Sequence, residues 1–560
     1  MTKRKKKIRR NNTCTDPQSG SNRNLIGISF STQEVISQVN YYSNSVDGRR
    51  IVCFFVGLSA FFVGLWCFDY KLSLSGDNTE FITLARSLVA GAGLQYLNLP
   101  EPVPATKYPF GFPLLLALIE WFFPREWIPM KMLVLIIFSF GVGTLYLLLR
   151  TRLELLPSLA IVIISITAGK SYLTTDAEGM ISYGPILLHF SHQIMSEIPY
   201  LVVSLLAVLF LERGVNQPGI LKNKAFWSGI VFVMLAYYIR SAGVALIASF
   251  FIYLLTRRDI KRACFFIFFC FVAWLPWTIR NNLVGDGPVY LQQLIMVNPY
   301  YPERGFMGLT QLMERIAENG LLYLNLHLPR LLWPFTNGGQ EIGSVSIFIL
   351  IISGYTVWKA IRLKRDVFWV FYTAAVLGVA ILWPWVDARF LIGVIPFFIY
   401  FSARVAIDLA DFLKAAGGSW TGRIFIWALS LSLIIGQFPG VMNLSAYARS
   451  DYPPVWDGYY SAGKWLDENA SSDALIVCRK PYWMYVVSGR KSINFPFKDT
   501  SFVFSYLERK KADYIVYESL GFPQTSQYLL PTVQEYPDHF SIVWSDKLQS
   551  TFVLGFLQSK

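Results

Sequence analysis

Charged residues are scarce in this sequence, and that scarcity is the first constraint on its class. Of the 560 residues, 15% are charged and 54% are hydrophobic. A soluble globular protein has about 25% charged residues, so this chain lacks the polar surface that a soluble protein needs. Apolar stretches of the length that crosses a bilayer as a helix, roughly 17 to 25 residues, recur between positions 51 and 444. The sequence therefore predicts a polytopic α-helical membrane protein.

Histidine and cysteine are also rare, which limits metal and redox chemistry. The chain has four histidines and six cysteines, and only Cys478 lies in a long polar region. This pattern offers neither a disulfide framework nor a cysteine-rich metal motif. The sequence also lacks a phosphate-cradling glycine loop and a Ser-His-Asp arrangement at recognisable spacing. No metal site is predicted from these residues.

The net charge of +14 is concentrated at the N-terminus and beside the apolar stretches. The run from Lys3 to Arg10 is almost entirely basic. We interpret this charge as cytoplasmic anchoring by the positive-inside rule and as attraction to anionic lipids. Residues 1–50 are accordingly predicted to form a disordered basic cytoplasmic tail, with no nucleic acid as partner.

Hydrophobicity alone suggests twelve crossings, but the charges between them favour eleven. The apolar segments are 51–69, 110–124, 128–149, 157–174, 197–212, 225–239, 241–256, 262–279, 345–361, 367–385, 389–408 and 423–443. All the basic connections lie on the cytoplasmic side only if one of the second and third segments does not cross. The segment 110–124 is short and rich in proline, so we predict that it lies at the outer interface.

This topology divides the chain into three parts in the plasma or inner membrane, with a cytoplasmic N-terminus. The tail comes first, and a transmembrane domain of about 11 helices follows over 51–443. Its outer loops are 70–127, 175–197 and 280–344. Residues 444–560 alternate between polar and apolar segments, such as 474–478, 482–487 and 512–517, around a helical stretch. Such alternation is typical of strands and predicts a small extracytoplasmic α/β domain.

Two carboxylates fall on the outer side of this topology. Asp77 stands at the start of a predicted amphipathic helix, and Glu197 heads the span 197–212. Either acid alone is explained as a favourable charge at a helix N-terminus. An acid at the head of a long apolar run is nevertheless a functional candidate, and both lie at one side and similar depth. We therefore predict that they share a site.

Four cations gather on the same side. They are Lys107, Arg240, Arg280 and Arg389. Such side chains at an outer opening suit a phosphate or phosphodiester. The alternative is that those beside tryptophans, Arg280 and Arg389, are interfacial anchors.

The order of these motifs resembles the GT-C superfamily of polyprenyl-phosphate-sugar glycosyltransferases, especially the protein mannosyltransferase and aminoarabinose transferase group. The resemblance covers nearly the whole chain from residue 51 onward. It is carried by Gly76-Asp77-Asn78, Lys107-Tyr-Pro-Phe-Gly-Phe-Pro113, Ser196-Glu197-Ile-Pro199, Leu275-Pro-Trp-Thr-Ile-Arg-Asn281 and Ala388-Arg389-Phe390. A C-terminal part with Gly463-Lys-Trp-Leu466 and Ser488-Gly-Arg-Lys491 follows.

The resemblance implies residue roles. Asp77 corresponds to the essential catalytic carboxylate, Glu197 to the second acid, and Lys107 to a lysine that holds the lipid phosphate. Thr106 stands where aminoarabinose transferases have a glutamate, so a metal site like theirs is not expected, although a divalent metal is left as an open alternative. From their charge and side of the membrane, Arg240 and Arg389 are predicted to help to neutralise the phosphate, and Glu80 and Arg280 are acceptor-binding or secondary candidates.

The predicted function is inverting transfer of a sugar from a polyprenyl-phosphate carrier to a hydroxyl of a lipid, glycan or protein in the cell envelope. One alternative is a transporter or lipid flippase, although these usually place ionisable sites near the midplane and contain internal repeats. Another is an oligosaccharide ligase or polymerase that uses a lipid-diphosphate donor.

Overall fold

A computed structural model describes residues 45–74, 76–175, 180–285, 289–299, 301–336, 338–339 and 341–558. The basic run at the N-terminus lies outside the described residues, as do nearly all of the predicted tail and two acidic residues of the loop 175–197, Asp176 and Glu178.

The apolar part of the chain is almost entirely helical, as long uncharged stretches of this kind require. Its α-helices are Val46–Trp66, Gly76–Val89, Gly111–Phe122, Ile128–Leu149, Leu155–Thr167, Ile186–Phe190, Glu197–Val215, Lys224–Ile239, Val244–Thr256, Ile260–Val284, Val289–Ile295, Leu309–Leu322, Leu328–Leu332, Ser344–Leu363, Val367–Leu382, Ile395–Gly417 and Ser419–Arg449. Single turns of 3₁₀ helix at Ser241–Gly243 and Pro302–Arg304, a longer one at Ala388–Val394, and a π-helical turn at Tyr323–His327 connect or extend them.

Seven helical segments of the described residues are long and apolar enough to cross a membrane. They begin at Val46, Ile128, Glu197, Ile260, Ser344, Ala388 and Trp420. Five further apolar helices are shorter, and Gly111–Phe122 is one of them. The chain is thus built as a multi-pass membrane protein, and the predicted eleven crossings stay a prediction.

One predicted span is shorter than its apolar segment. Helix Leu155–Thr167 ends before the segment 157–174 does, since Ala168 is already extended and Gly169 follows with a left-handed φ of +85°. The chain then enters strand β3, Ser171–Thr175, which pairs antiparallel with β4, Ile181–Gly184. An earlier antiparallel pair joins β1, Gln95–Tyr96, to β2, Val103–Pro104.

The C-terminal part forms a five-stranded mixed sheet with helices. Its strands are β5 Leu475–Val477, β6 Lys491–Ile493, β7 Tyr514–Glu518, β8 Phe540–Ser545 and β9 Thr551–Phe556, in the order β6-β5-β7-β9-β8. β5 is parallel to β6 and β7, whereas β9 is antiparallel to β7 and β8. Its helices are Pro454–Asn469, Pro481–Ser488, Thr500–Lys510 and Leu530–Glu535, with a π-helical turn at Thr525–Leu529 and a 3₁₀ turn at Pro537–His539.

The prediction of a strand over 482–487 is wrong, because this segment is the helix Pro481–Ser488. Proline at the first helical position and Gly489 in the left-handed conformation after the last turn favour a helix at both ends. The apolar run is not evidence for a strand here, since Trp483 and Met484 are buried together on a helix that packs against Gly76–Val89.

The C-terminal part packs on the loop that contains Asp77. The Trp483 indole donates to the Ser73 carbonyl at 3.3 Å, and Arg86 Nη1 donates to the Val486 carbonyl at 3.3 Å. Asn98 and Ser492 exchange hydrogen bonds of 3.1 and 2.6 Å. The sheet region therefore lies at the same end of the helices as Asp77.

Candidate functional site

Asp77 lies in the first turn of helix Gly76–Val89 and is the centre of a charged cluster. This helix is held firmly, because every residue from Phe81 to Ser87 is buried. Asp77 Oδ1 accepts a hydrogen bond of 2.8 Å from the Tyr108 hydroxyl, and Oδ2 accepts one of 3.2 Å from Arg389 Nη1. Lys107 Nζ lies 3.9 Å from Oδ1. The carboxylate is thus fixed, and its side chain remains 32% exposed.

Glu197 begins helix Glu197–Val215, and its side chain is only 2% exposed. Arg240 Nη1 lies 2.9 Å from Glu197 Oε1 and donates to the Ser196 hydroxyl at 3.0 Å. The direction of the guanidinium N–H does not meet hydrogen-bond geometry at Glu197, and among the described residues neither carboxylate oxygen receives a hydrogen bond. Buried carboxylates are normally satisfied, so Glu197 keeps acceptor capacity for a ligand.

Arg389 connects the two acids. Its Nη1 lies 3.2 Å from Asp77 Oδ2 and 4.0 Å from Glu197 Oε1. Asp387 holds it in place by capping the 3₁₀ helix Ala388–Val394 and lying 3.4 Å from Arg389 Nε. The Phe390 ring contacts the guanidinium groups of Arg389 and Arg240, at 5.2 and 5.7 Å from the ring centroid.

Arg240 reaches this position because the chain turns sharply there. Helix Lys224–Ile239 ends at Arg240, which is extended, and a 3₁₀ turn leads directly into helix Val244–Thr256. The turn between the predicted segments 225–239 and 241–256 thus places Arg240 beside Glu197.

Lys107 is paired mainly with Glu80. Its Nζ lies 3.1 Å from Glu80 Oε1 and 3.4 Å from Oε2, and the Tyr96 hydroxyl donates to Oε2 at 3.4 Å. Glu80 and Asp77 are one turn apart on the same helix, so they present neighbouring carboxylates to one lysine. Lys107 thus has donor capacity for a further anion, since an ammonium group has three donors.

Arg280 does not join this cluster. Its Nη1 donates to the Ala105 carbonyl at 2.5 Å and its Nη2 to the Leu94 carbonyl at 3.2 Å, while the guanidinium lies over Trp277. These contacts hold the segment that leads to Lys107. Arg280 thus contacts the segment before Lys107 and, among the described residues, none of the acids of the cluster. Its acceptor role stays a prediction.

The charges set different protonation for the two acids on the Asp77 helix. Burial by itself raises the pKa of Asp77, but Lys107, Arg389 and the Tyr108 hydrogen bond outweigh it and hold the pKa below its ordinary value. Burial, reinforced by nearby Asp77, raises the pKa of Glu80 although Lys107 opposes this shift. Asp77 is therefore the anionic member of the pair over the wider pH range.

Three side chains of the cluster are absent from the sequence prediction. Tyr108 donates to Asp77, and its ring lies 6.1 Å from that of Tyr290. The charges of Arg240, Asp77, Glu80 and Glu197 all act on Tyr290. Lys480, from the C-terminal part, is close enough for its charge to interact with Asp77. Tyr108 could have been found from its place beside Lys107, whereas no sequence signal marks Tyr290 or Lys480.

The donor set at this site does not fit a divalent metal. Asp77, Glu80 and Glu197 are each paired with a lysine or arginine, whose positive charge would repel a divalent cation. Thr106 supplies no carboxylate, and no group of three or more potential His, Cys, Asp or Glu ligands occurs in the part of the chain that the structure describes.

Comparison with solved structures identifies the fold. The structure of ArnT from Cupriavidus metallidurans bound to undecaprenyl phosphate superposes with a TM-score of 0.56 at 13% sequence identity, over 92% of this chain and 99% of that chain. Its apo structure gives a TM-score of 0.55 at 12% identity, over 91% and 98% of the two chains. No protein-family model and no curated protein sequence matches the chain.

The chain therefore has the GT-C fold, a helical membrane domain followed by a small C-terminal sheet region. The similarity extends over nearly the full length of both proteins. The prediction of this fold class from the order of the motifs is confirmed.

Proposed function

We propose that this protein is an inverting glycosyltransferase that moves a sugar from a polyprenyl-phosphate carrier to a hydroxyl acceptor on the outer face of the membrane. The observation that carries the proposal is the Arg389 guanidinium between Asp77 and Glu197, with Arg240 and Lys107 around it. A reaction that releases a phosphate and needs a hydroxyl to be oriented calls for this combination of acids and cations. The fold shared with ArnT bound to undecaprenyl phosphate supports the choice of donor.

Asp77 orients the acceptor hydroxyl. The depressed pKa of Asp77 keeps it anionic at neutral pH, so it accepts a hydrogen bond from the acceptor and takes its proton as the bond to the anomeric carbon forms. Attack in line with the bond to phosphate inverts the anomeric centre. Positioned acid–base catalysis of this kind contributes about 10²–10⁴-fold.

Glu197, the second acid of the cluster, acts on the same acceptor. Its buried oxygens receive no hydrogen bond among the described residues, so a sugar or acceptor hydroxyl can supply the missing donor. A satisfied hydrogen bond to such a charge contributes about 1.5–3 kcal/mol.

Lys107, Arg240 and Arg389 neutralise the departing phosphate. Lys107 is the most adaptable of them, since it exchanges Glu80 for a phosphate oxygen without losing its charge contact. Burial raises the pKa of Glu80. Once Glu80 is protonated it carries no charge, so it needs no cation beside it after Lys107 has moved to the phosphate. The phosphate is a good leaving group, and positioning together with charge neutralisation carries the rest of the barrier.

The decisive experiment gives purified protein a radiolabelled polyprenyl-phosphate sugar with a crude membrane-lipid acceptor, and measures released lipid phosphate. Asp77→Asn is expected to lower the rate by about 10²–10⁴-fold. Asp451→Asn, which changes an exposed aspartate, should match the wild type. Equal release by wild type and Asp77→Asn contradicts the proposal.

The proposed side of the membrane is tested separately by thiol labelling in intact cells, in a chain whose Cys14, in the predicted cytoplasmic tail, and exposed Cys264 are replaced by serine. Gly76→Cys adds a thiol where no atom lies within 4 Å of the new Cβ. We expect an impermeant reagent to label it from outside, and to label Lys364→Cys only after permeabilisation. The reverse pattern would invert the predicted topology.

A further inference from the structure

A polar cavity lies at the other end of the helices from Asp77. Its volume is about 380 Å³, within the range of small-molecule sites. Glu197 begins helix Glu197–Val215, and Glu212 in its last turns lines the cavity. A helix of this length spans roughly 28 Å, so the cavity is separated from the Asp77 cluster by the thickness of the helical domain.

The lining of this cavity is dominated by positive charge. Four cations, Arg152, Arg257, Lys364 and Arg365, face two carboxylates, Glu212 and Asp366, which leaves a net charge of +2. The positive-inside rule accounts for basic residues at this end of the helices, but it does not require four of them to line one cavity.

The two carboxylates share one arginine. Arg152 Nη2 donates to Glu212 Oε1 at 2.7 Å, and Arg152 Nε donates to Asp366 Oδ1 at 2.6 Å. The second Asp366 oxygen accepts a hydrogen bond of 2.8 Å from Tyr400. Arg257, Lys364 and Arg365 are the lining cations that take no part in this ion network.

These three cations make only weak contacts with the protein. Arg257 Nη1 reaches the Tyr253 hydroxyl at 3.0 Å and Asn216 Oδ1 at 3.4 Å, and Arg365 Nη2 reaches the Arg152 carbonyl at 3.2 Å. All three residues are exposed. None of their described contacts is with a carboxylate, so these side chains remain open to an anionic ligand.

We infer that this cavity, lined by Arg257, Lys364 and Arg365, binds the phosphate group of a ligand, with the headgroup of an anionic phospholipid as the favoured source. Arginine and lysine together suit phosphate oxygens. Two aromatic residues of the lining, Tyr253 and Phe368, stack with their ring centroids 5.5 Å apart. Basic cavities between membrane helices are suited to acidic lipid headgroups.

The test measures binding, so it does not depend on the proposed glycosyltransferase activity. Purified protein in neutral detergent is titrated with phosphatidylglycerol, with phosphatidylcholine and with inorganic phosphate, at constant ionic strength, and bound ligand is counted by native mass spectrometry. The variant Arg257→Gln/Lys364→Gln/Arg365→Gln removes the three cations. The control, Lys222→Gln/Lys224→Gln/Lys261→Gln, removes three exposed cations of the same end that do not line the cavity.

We expect the cavity variant to bind phosphatidylglycerol roughly 100-fold more weakly than the wild type, because it loses three charge-assisted contacts to the phosphate group. The control variant should stay within about twofold, since its charges act only through the screened surface potential. All proteins should elute as one species with equal melting temperatures, because the altered side chains are exposed.

The titrations distinguish a lipid headgroup from a soluble ligand as the source of the phosphate. Tight phosphatidylglycerol binding that inorganic phosphate does not displace assigns the cavity to a lipid, whereas binding of inorganic phosphate with the same dependence on the three cations assigns it to a soluble ligand. Equal weakening in the cavity and control variants, or equal binding of phosphatidylcholine, overturns the inference.

Discussion

Each end of the helical domain contains an arginine between two carboxylates, and the two clusters differ in how completely those acids are satisfied. Arg152 donates hydrogen bonds of 2.7 and 2.6 Å to Glu212 and Asp366. Arg389 donates one of 3.2 Å to Asp77 and lies 4.0 Å from Glu197, to which it makes no hydrogen bond. The same residue types therefore build a closed ion network at one end and an open one at the other.

The hydrogen bonding of the buried acids distinguishes a structural cluster from a candidate active site. A buried charge that is fully hydrogen-bonded has nothing to offer a ligand, and breaking it exposes its partner to desolvation cost. A buried charge with free acceptor capacity costs stability until a ligand satisfies it. Glu197 belongs to the second kind, which is why the Asp77 end is the better site for the reaction.

The largest effect we expect comes from breaking the closed network. Arg152→Met leaves Glu212 and Asp366 without their shared cation, and because these side chains are 14% exposed the cost should lie near the lower end of the roughly 3–5 kcal/mol range for a fully buried pair. We expect this loss in the free energy of unfolding, measured by titration with a denaturing detergent, with activity per folded molecule close to that of the wild type. Arg152→Lys should recover part of the stability. A full loss of activity in the folded fraction would contradict the distinction between the two ends.

The next effect concerns the open network. Arg389→Met removes the cation between Asp77 and Glu197, and loss of one pre-placed group that stabilises developing charge lowers kcat by about 10²–10³-fold. The cost to stability should be smaller than for Arg152→Met, because Arg240 remains 2.9 Å from Glu197. Turnover of labelled donor and the unfolding titration are compared in the same preparations. A variant that is unstable and fully active would reverse the assignment.

A smaller effect is expected from Tyr108→Phe, which removes one hydrogen bond from Asp77. Hydrogen bonds to charged groups contribute about 1.5–3 kcal/mol, so the rate should fall by roughly tenfold or somewhat more. The hydrogen bond favours the carboxylate, and its loss raises the pKa of Asp77 from its depressed value towards the ordinary value near 4. Because the ionised form is the active one, the rate is lost as pH falls through this pKa. The acid limb of kcat/KM should therefore move to higher pH in the variant, and an unmoved limb would show that another group controls it.

How much of the site follows from the sequence depends on how local its signals are. Asp77 and Lys107 belong to short motifs, and the charges of the connecting loops assign Glu197 to the same end. The GT-C fold was predictable from the order of these motifs. The roles of the residues stay predictions, since the similarity to ArnT is one of fold.

The remainder depends on contacts between distant parts of the chain. The hydrogen bond between Arg389 and Asp77 joins residues 312 positions apart, and the approach of Tyr290 and Lys480 leaves no periodicity or spacing in the sequence. The helix Pro481–Ser488 was mistaken for a strand because burial makes its whole run apolar, and only its proline and glycine ends carry the helix signal.

The smallest effect we expect tests whether Arg280 belongs to the open network or only supports it. Arg280 holds the carbonyls of Leu94 and Ala105 with two different nitrogens, and a single ammonium group cannot reproduce that fork. Arg280→Lys should cost about 1 kcal/mol of stability, one net hydrogen bond, and should raise the KM for the donor a few-fold because the segment that leads to Lys107 loosens. Since no described contact joins Arg280 to Asp77 or Glu197, kcat should remain near that of the wild type. A fall in kcat comparable to that of Arg389→Met would instead place Arg280 at the reacting centre and would extend the open network to the helix Ile260–Val284.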